Sequence, residues 1–487
     1  MIEAVILSLY LLACIGIGYI ASRRVLTSND DYWVAGRGVG TWTNAIAIMA
    51  TLASGGSVVG VMGYAYKSGI PATLSLFAGA VVGFPLASML VAKPLRNFGR
   101  YTITDFLGWR YDSPLVRVLV PILIVVTFTA YMVAQLKAAG LTAEVLLGVD
   151  YKLAIIISMI VFVGYVSFGG MLAVTWTDVM QGSLMLVLVV GAAAALWWQY
   201  DGTAGLLQDA VTQRPQLGEP SAAGWPTMAG SFLVWATAIP VIPHVVMRVY
   251  TAKDARGARM SLNLAMVGYS VIVLAAVFVI VPIGVIDAPN LAAADADRVF
   301  HMVIQNRFPP VIRGIAVAAV IAAVMSTTDA LLLACSSAVA HDLVAPYLRR
   351  KNGGAAPTAR IMARVNFVTV SLLGLIAMVF ALNPPELLTQ FYSAAIGWLG
   401  AALFVPLIAG LWWKRATRRG GEAALLVGGA VYAVLQFGGF GPTYSAILWA
   451  LPAGLLAMIV GSYASPAEPE RVREISRLHE LPMDAER

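Results

Sequence analysis

The sequence predicts an all-α integral membrane protein with about thirteen transmembrane helices, and three observations carry that prediction. The 487 residues are 60% hydrophobic and only 12% charged, where a soluble chain carries about 25% charge, and the mean hydropathy is +0.81. Apolar runs recur at roughly the 20-residue length that a helix needs to cross the hydrocarbon core. Lys and Arg are distributed very unevenly among the loops between those runs.

Walking the chain, spans fall near 2–22, 42–66, 72–92, 118–140, 153–168, 171–198, 228–250, 262–286, 311–340, 365–382, 387–413, 421–438 and 443–463. The first, MIEAVILSLYLLACIGIGYIASRR, has no basic start and is too long for a cleaved signal, so it reads as a span with its N-terminus outside. The third, ATLSLFAGAVVGFPLASMLVA, is unambiguous, and a tight Phe168-Gly169-Gly170 corner separates the fifth from the sixth. Loops near 199–227 and 287–310 are long and acidic, and the second has room for a short lid helix. The region 1–465 reads as one transmembrane domain, followed by a charged tail, 466–487, expected to be mobile and cytoplasmic.

With the N-terminus outside, 25 of the 32 basic residues lie in inner loops or the tail, a strong positive-inside signal. That distribution explains the net charge of +7 through anionic lipid headgroups, without a nucleic-acid partner. Cys14 and Cys335 sit in apolar runs, with neither disulfide nor metal-site spacing. Four scattered histidines argue against an integral membrane enzyme, and the lack of a soluble signalling domain argues against a sensor. No obligatory protein partner is implied.

Two spans are interrupted. WTNAIAIMATLASGGSVVGVMGYAY carries Ala53-Ser54-Gly55-Gly56-Ser57 at its centre; each glycine costs about 1 kcal/mol in a helix relative to Ala, and the serines compete for backbone groups. FLVWATAIPVIPHVVMRVY carries Pro240 and Pro243, each removing a donor and clashing with the turn before it. Unpaired backbone is tolerated at membrane depth only where it lines a cavity or coordinates something, and a matched pair of broken spans points to a transporter's binding site. The breaks open two five-span sets, 42–198 and 228–413; five is odd, so the sets enter the membrane from opposite sides, with 2–22 extra and 421–463 appended.

The stretch AAVMSTTDALLLACSSA, residues 322–338, lies inside an apolar run. Ala323, Ser326, Thr327 and Ala330 share one helix face, and oxygens are the ligands a small hard cation takes. Ser326 and Thr327, with carbonyls freed near Ala50 and Ala53, form a candidate sodium cage; the alternative is two hydroxyls bonded to their own preceding turn. Asp178 and Asp329 are mid-membrane carboxylates, which face the bundle interior and are functional candidates by default; together they would hold a second cation or share a proton. Ser54, Gly55, Gly56 and Ser57 at the break, Gln135 on the fourth span and Thr237 beside the second break are candidate solute contacts. Lys137 is expected to snorkel outward, His244 to sit at an inner gate, Arg248 to snorkel, and His301 to have no role in its outer loop.

These stretches, with DYWVAGRGVGTWTNAIAIMATLASGG, GGMLAVTWTDVMQG, IPHVVMRVYTAKDARGARMS and NPPELL followed by LFVPLIAGLWWKRA, resemble the sodium:solute symporter family in the family's order. The resemblance implies the LeuT-like fold, two inverted five-helix repeats with flanking helices, and inward transport coupled to Na⁺ in a bacterial inner membrane. It implies a main sodium site at Ala50, Ala53, Ala323, Ser326 and Thr327, and a second-site role for Asp178. Leu52 stands where proline symporters carry an acid, and Asp329 and Ala330 where two-sodium members carry hydroxyls, so stoichiometry stays open. The SGGS break and VPLIAGLWW look most like pantothenate and monocarboxylate carriers, with amino acids such as proline, sugars and sialic acid as alternatives. A solute carboxylate would meet amides at the half-helix start near Gly55 and Gly56.

Overall fold

The computed structural model describes residues 2–25, 33–200, 202–219, 224–384 and 387–483, without the side chains of 22–25, 165–169 and 359. The start of the DYWVAGRG stretch, Pro385 and Glu386 of NPPELL, the Phe168 side chain and the last four tail residues lie outside that description. Among the described residues the architecture is helical, and the isolated backbone pairing of Val39 with Ala252 is the only β-bridge.

Among the described residues, eleven helices are long and apolar enough to cross a membrane. A twelfth crossing is the pair Thr41–Leu52 and Gly56–Ser68, bent by 59°, and Tyr151–Gly164 is a shorter apolar helix. These thirteen segments fall where the apolar runs do. Gly170, at φ 57°, ψ −170°, makes the corner between Tyr151–Gly164 and Gly170–Trp197; that backbone region is open essentially to glycine alone. The proline break is milder. Gly224–Ala238 ends in a turn, Ile242 is extended, and Pro243 starts the helix Pro243–Thr251, the position where its missing N–H costs nothing.

The hydroxyl-bearing helix, Pro310–Ser337, is the hub. Every one of its residues from Ala316 to Ser337 is buried, and a helix apolar all round is a core helix. It packs against Ile2–Val25, Pro114–Thr142 and the Gly170–Trp197 segment. The periphery is the reverse: Leu9 and Leu12 on the first helix and Phe367, Val368 and Phe380 on Ala359–Ala381 expose large apolar side chains, the surface a lipid-facing helix presents. Gly83 permits close approach of Ile70–Leu86 to the proline break, because a Cβ there would lie 2.7 Å from Ile239 Cβ.

The 287–310 loop folds into a short 3-10 helix, Ala293–Arg298, running into the helix Val299–Arg307, so the loop does hold short helices. The tail departs from expectation. Pro469–Glu480 is a helix held against the bundle: Lys93 Nζ donates to His479 O at 2.6 Å, Asn97 Nδ2 to Leu478 O at 2.8 Å, and Arg256 N to Met483 O at 3.1 Å. Its charge pattern suggested a solvated segment, but the backbone carbonyls at its end supply acceptors that composition does not reveal.

Candidate functional site

The site begins at the glycine-rich break. Thr41–Leu52 stops because Ala53 leaves the helical region (φ −74°, ψ 63°), its N–H closing on Met49 O at 2.7 Å. In an unbroken helix the Gly55 N–H would return to Thr51 O; here it donates to Gln135 Oε1 at 3.0 Å. Ser57 N donates to Ser54 Oγ at 3.0 Å, and Ser57 Oγ donates to Leu52 O at 2.7 Å. The serines and Gln135 therefore satisfy the break locally and release the carbonyls of residues 50 and 51.

Those carbonyls meet the hydroxyl pair. Ser326 Oγ donates to Ala50 O at 3.0 Å and lies 3.2 Å from Ala323 O; Thr327 Oγ1 donates to Thr51 O at 2.9 Å and lies 3.1 Å from Ala323 O. The two hydroxyls and three carbonyls converge from helices 276 residues apart, and both hydroxyl residues are fully buried. The carbonyl opposite Thr327 belongs to Thr51, a residue the sequence reading did not single out; Ala53 forms the cap one turn-end further on. Gly182 lets the neighbouring helix approach, since a Cβ there would lie 2.9 Å from Ala50 Cβ.

Beside this cluster lies a buried charge group. Arg248 Nη2 donates to Asp178 Oδ2 and its Nη1 to Thr175 Oγ1, while Thr51 Oγ1 lies 3.4 Å from Asp178 Oδ2. Arg248 is 1% exposed and Asp178 0%, so the expected snorkelling arginine is instead an internal counter-ion. The reason is the proline break: Pro243–Thr251 turns its side chains inward, and Asn44 Nδ2 anchors it at Arg248 O, 2.9 Å away. Asp329 is fully buried within the electrostatic reach of Asp178 and Arg248, yet neither of its oxygens has a hydrogen-bond partner among the described residues; Asp178 Oδ1 also has none. The structure thus brings Asp178 and Asp329 into one group. His244 packs against the rings of Phe128 and Tyr131, centroids 5.2 and 6.5 Å away, with both ring nitrogens unpartnered.

On the other side of the break the candidate solute contacts are closed in by aromatic rings. Tyr131 stacks on Tyr392 at 4.9 Å, Trp235 meets Tyr392 edge-on at 5.9 Å, and Tyr131 OH donates to Ser54 Oγ at 3.2 Å. A Cβ at Gly55 would lie 2.7 Å from Val324 Cγ2, and one at Gly56 2.5 Å from Tyr392 Cε1. Ser54, Gly55, Gly56, Ser57 and Gln135 are thus together, and Gln135 Nε2 is buried without a partner. Thr237 is not part of that network: its Oγ1 turns back onto Leu233 O at 2.8 Å, against Gly400. The tyrosine–tryptophan wall escaped sequence reading because aromatic residues in an apolar span carry no mark of which way they face.

Further along the fourth span than Tyr131, Lys137 is buried and bonds Asp297 Oδ2 at 2.9 Å, which also accepts from Leu388 N at 3.1 Å. The expected outward snorkelling fails because Asp297, in the 287–310 segment, pairs with it. His301, expected to be idle, is fully buried and bonds Thr142 Oγ1 at 2.9 Å.

The model of the sodium:solute symporter family matches residues 32–428. The chain belongs to the sodium:solute symporter family. Among this symporter's relatives, it is 28% identical to the osmoregulated proline transporter OpuE of Bacillus subtilis (strain 168), covering 95% of this chain and 94% of that one. It is 29% identical to the sodium/pantothenate symporter of Escherichia coli (strain K12), covering 95% and 96%. Its fold is similar to a Na⁺-coupled sialic acid symporter solved in a substrate-bound outward-open state, at TM-score 0.80 and 18% identity over 96% of this chain and 98% of that one. It is also similar to Mhp1, a nucleobase-cation-symport-1 family transporter, at TM-score 0.57 and 15% identity over 93% and 100%. The symporter thus has the LeuT-like fold, is a multi-span membrane transporter rather than an enzyme, and couples solute movement to sodium.

Proposed function

We propose that this symporter imports a small organic carboxylate, of monocarboxylate or pantothenate type, across a bacterial inner membrane by alternating access driven by Na⁺. Sodium binds where the Ser326 and Thr327 hydroxyls meet the carbonyls of Ala50, Thr51 and Ala323, with Ala53 closing the helix end beside them. The observation that carries this reading is that meeting: hydroxyls of one buried helix donating to carbonyls that a break in another has released. Five oxygens are a hard-ion ligand set. Rotating two hydroxyl hydrogens away presents lone pairs to an ion with little movement of the backbone.

The repeats run 42–198 and 228–413, with the N-terminus outside, the C-terminus cytoplasmic and the basic loops on anionic lipid. Sodium braces the broken helix against the hydroxyl helix and favours the outward form only to the extent that it binds that form more tightly. The solute then displaces Gln135 from the Gly55 amide or uses its free Nε2, while Ser54, Gly56 and Ser57 line the same face and Thr237 lies at the edge. The aromatic wall favours an apolar body on the solute. The proline and pantothenate carriers match at nearly equal identity, so likeness does not choose among carboxylate, amino acid, sugar and sialic acid; the half-helix amides favour an anion. A second reading, proton coupling through Asp178 and Asp329, is favoured by the unpartnered oxygens of Asp329. Arg248 already neutralises Asp178, so that reading rests mainly on Asp329.

The test is thermal stabilisation of purified protein by carboxylates, amino acids and sugars with and without sodium, followed by uptake into proteoliposomes under a sodium or a pH gradient. A carboxylate that stabilises only with sodium, and accumulates under the sodium gradient, is the expected result. Accumulation that follows the pH gradient and ignores sodium transfers the coupling role to Asp329.

A further inference from the structure

A second group of chemically active side chains lies away from the sodium and solute positions, where the far end of the hydroxyl helix meets the short helix Ile103–Tyr111. That helix opens with a capping box: Thr102 Oγ1 accepts from Asp105 N at 3.0 Å, and Asp105 Oδ2 accepts from Thr102 N at 3.2 Å. The box holds the Asp105 carboxylate in one place. The continuation of the hydroxyl helix, Ala338–Val344, brings His341 and Asp342 against it. His341 Nε2 lies 3.1 Å from Asp105 Oδ2 and 3.9 Å from Asp342 Oδ1, and donor atoms of all three residues fall within 4.8 Å of one another.

The polar atoms around this group are incompletely satisfied. The Asp342 side chain is 2% exposed, and its Oδ1 accepts from Thr102 Oγ1 at 3.0 Å, but its Oδ2 has no partner of good hydrogen-bond geometry among the described residues. The Thr104 hydroxyl, in a residue 4% exposed, lies against the Asp342 carboxylate. Buried polar atoms are ordinarily hydrogen-bonded, and an orphan calls for an unseen ligand or another explanation. Here the Asp342 oxygen sits beside an imidazole nitrogen and a fixed carboxylate.

We propose that Asp105, His341 and Asp342 form a zinc site. One imidazole and two carboxylates are zinc donors, and with one water they make a neutral tetrahedral set. Ligands about 2.1 Å from the ion stand about 3.4 Å apart along a tetrahedron's edge, and the observed 3.1 and 3.9 Å straddle that spacing. The ring of His341 is held by the edge of Tyr101, centroids 5.1 Å apart, so Nε2 stays turned toward the carboxylates. The His341 side chain is 27% exposed, which leaves the ion and its water a way in. The Thr104 hydroxyl is placed to bond the bound water or a carboxylate oxygen. On the transport reading above, the site has a consequence. Zinc staples the end of the sodium-binding helix to the Ile103–Tyr111 segment and holds the transporter in one conformation.

The binding test does not depend on knowing the solute. Full-length protein in detergent micelles is treated with chelator, freed of it, and titrated with zinc by calorimetry. The expected result is one saturable zinc per chain, weakened in His341→Ala by more than about 100-fold, beyond the 10–100-fold that loss of a mere supporting contact costs. Asp342→Asn weakens it similarly, and His479→Ala leaves it unchanged. Melting temperature without zinc reports whether each variant is folded; should Asp342→Asn fail to fold, His341→Ala, at a partly exposed side chain, decides alone. Absence of saturable binding, or binding that survives His341→Ala, overturns the site. Failure of sodium to stabilise the protein bears on the transport reading and leaves a measured zinc site standing.

Discussion

The Ser326 and Thr327 hydroxyls each sit between two carbonyls, one from their own helix and one from the break. An ordinary membrane-helix serine or threonine has only the first, so the second contact separates a ligand from a back-bonded side chain. Ser326→Ala and Thr327→Ala should each raise the sodium concentration for half-maximal thermal stabilisation by about 10-fold or more, the equivalent of about 1.4 kcal/mol of ion affinity. Thr327→Ser, which keeps the oxygen, should stay near wild type; a wild-type sodium midpoint in both alanine variants would remove the cage. The Arg248–Asp178 pair makes a different residue-scale prediction. Breaking a buried pair on one side leaves an uncompensated charge and costs about 3–5 kcal/mol, whereas removing both charges is often near neutral. Asp178→Asn and Arg248→Met should each lower the melting temperature strongly, and the double variant should recover most of the loss. Additive losses in the double variant would show that the pair is not the unit.

At the scale of elements, the two breaks do different work. The glycine break bends the chain by 59° and exposes carbonyls, because Gly55 and Gly56 have no side chain to fend off Val324 and Tyr392. The proline break leaves Gly224–Thr251 as one span, and its second half carries Arg248 to a buried position against Asp178. Gly56→Ala sets a methyl against the Tyr392 ring, which stacks on Tyr131 and cannot easily yield. The expected outcome is a folded protein, by gel filtration and helical circular dichroism, with weakened sodium stabilisation, since displacing the second half-helix disturbs the hydrogen bonds that free the Ala50 and Thr51 carbonyls. Unaltered sodium response would mean the break has slack that the packing does not suggest. Both breaks were readable from glycine, serine and proline, whose costs in a helix are local. The direction in which each half-helix turned its side chains was not readable, because polar groups such as those of PHVVMRVYT mark a face without saying whether it meets the membrane surface or a buried partner such as Asp178. The unforeseen inward turn of Arg248 is the plainest case.

For the whole molecule, the 287–310 segment is tied to the helix bundle through ion pairs. Asp297 in that segment holds both Lys137 on the fourth span and the N–H of Leu388 at the start of Leu388–Trp412, and Arg298 bonds Glu144 at 3.0 Å. Burial lifts the Asp297 carboxyl above the ordinary carboxylate range, against the pull of Lys137. On the proposed transport reading, solute passing this side of the aromatic wall requires the pair to part. Asp297→Asn should increase labelling of a cysteine introduced at Ser54 by a membrane-impermeant reagent from the outside and lower the melting temperature. Labelling no faster than in the parent would mean the segment does not govern that path.

The amino-acid sequence by itself determined the solvent of this protein, the position of nearly every span, the two interruptions and the oxygen-rich face of Pro310–Ser337. Each of these follows from the local cost of placing a residue type in lipid or in a helix, which needs no knowledge of neighbours. Only the tertiary structure decided that Thr51 supplies the carbonyl for Thr327, that Asp178 is neutralised by Arg248, that Lys137 is buried against Asp297 and that the tail docks on the bundle. Those pairings join groups far apart in the chain. They depend on the rotation of each helix about its axis, which packing sets and the residue pattern of a span leaves unspecified.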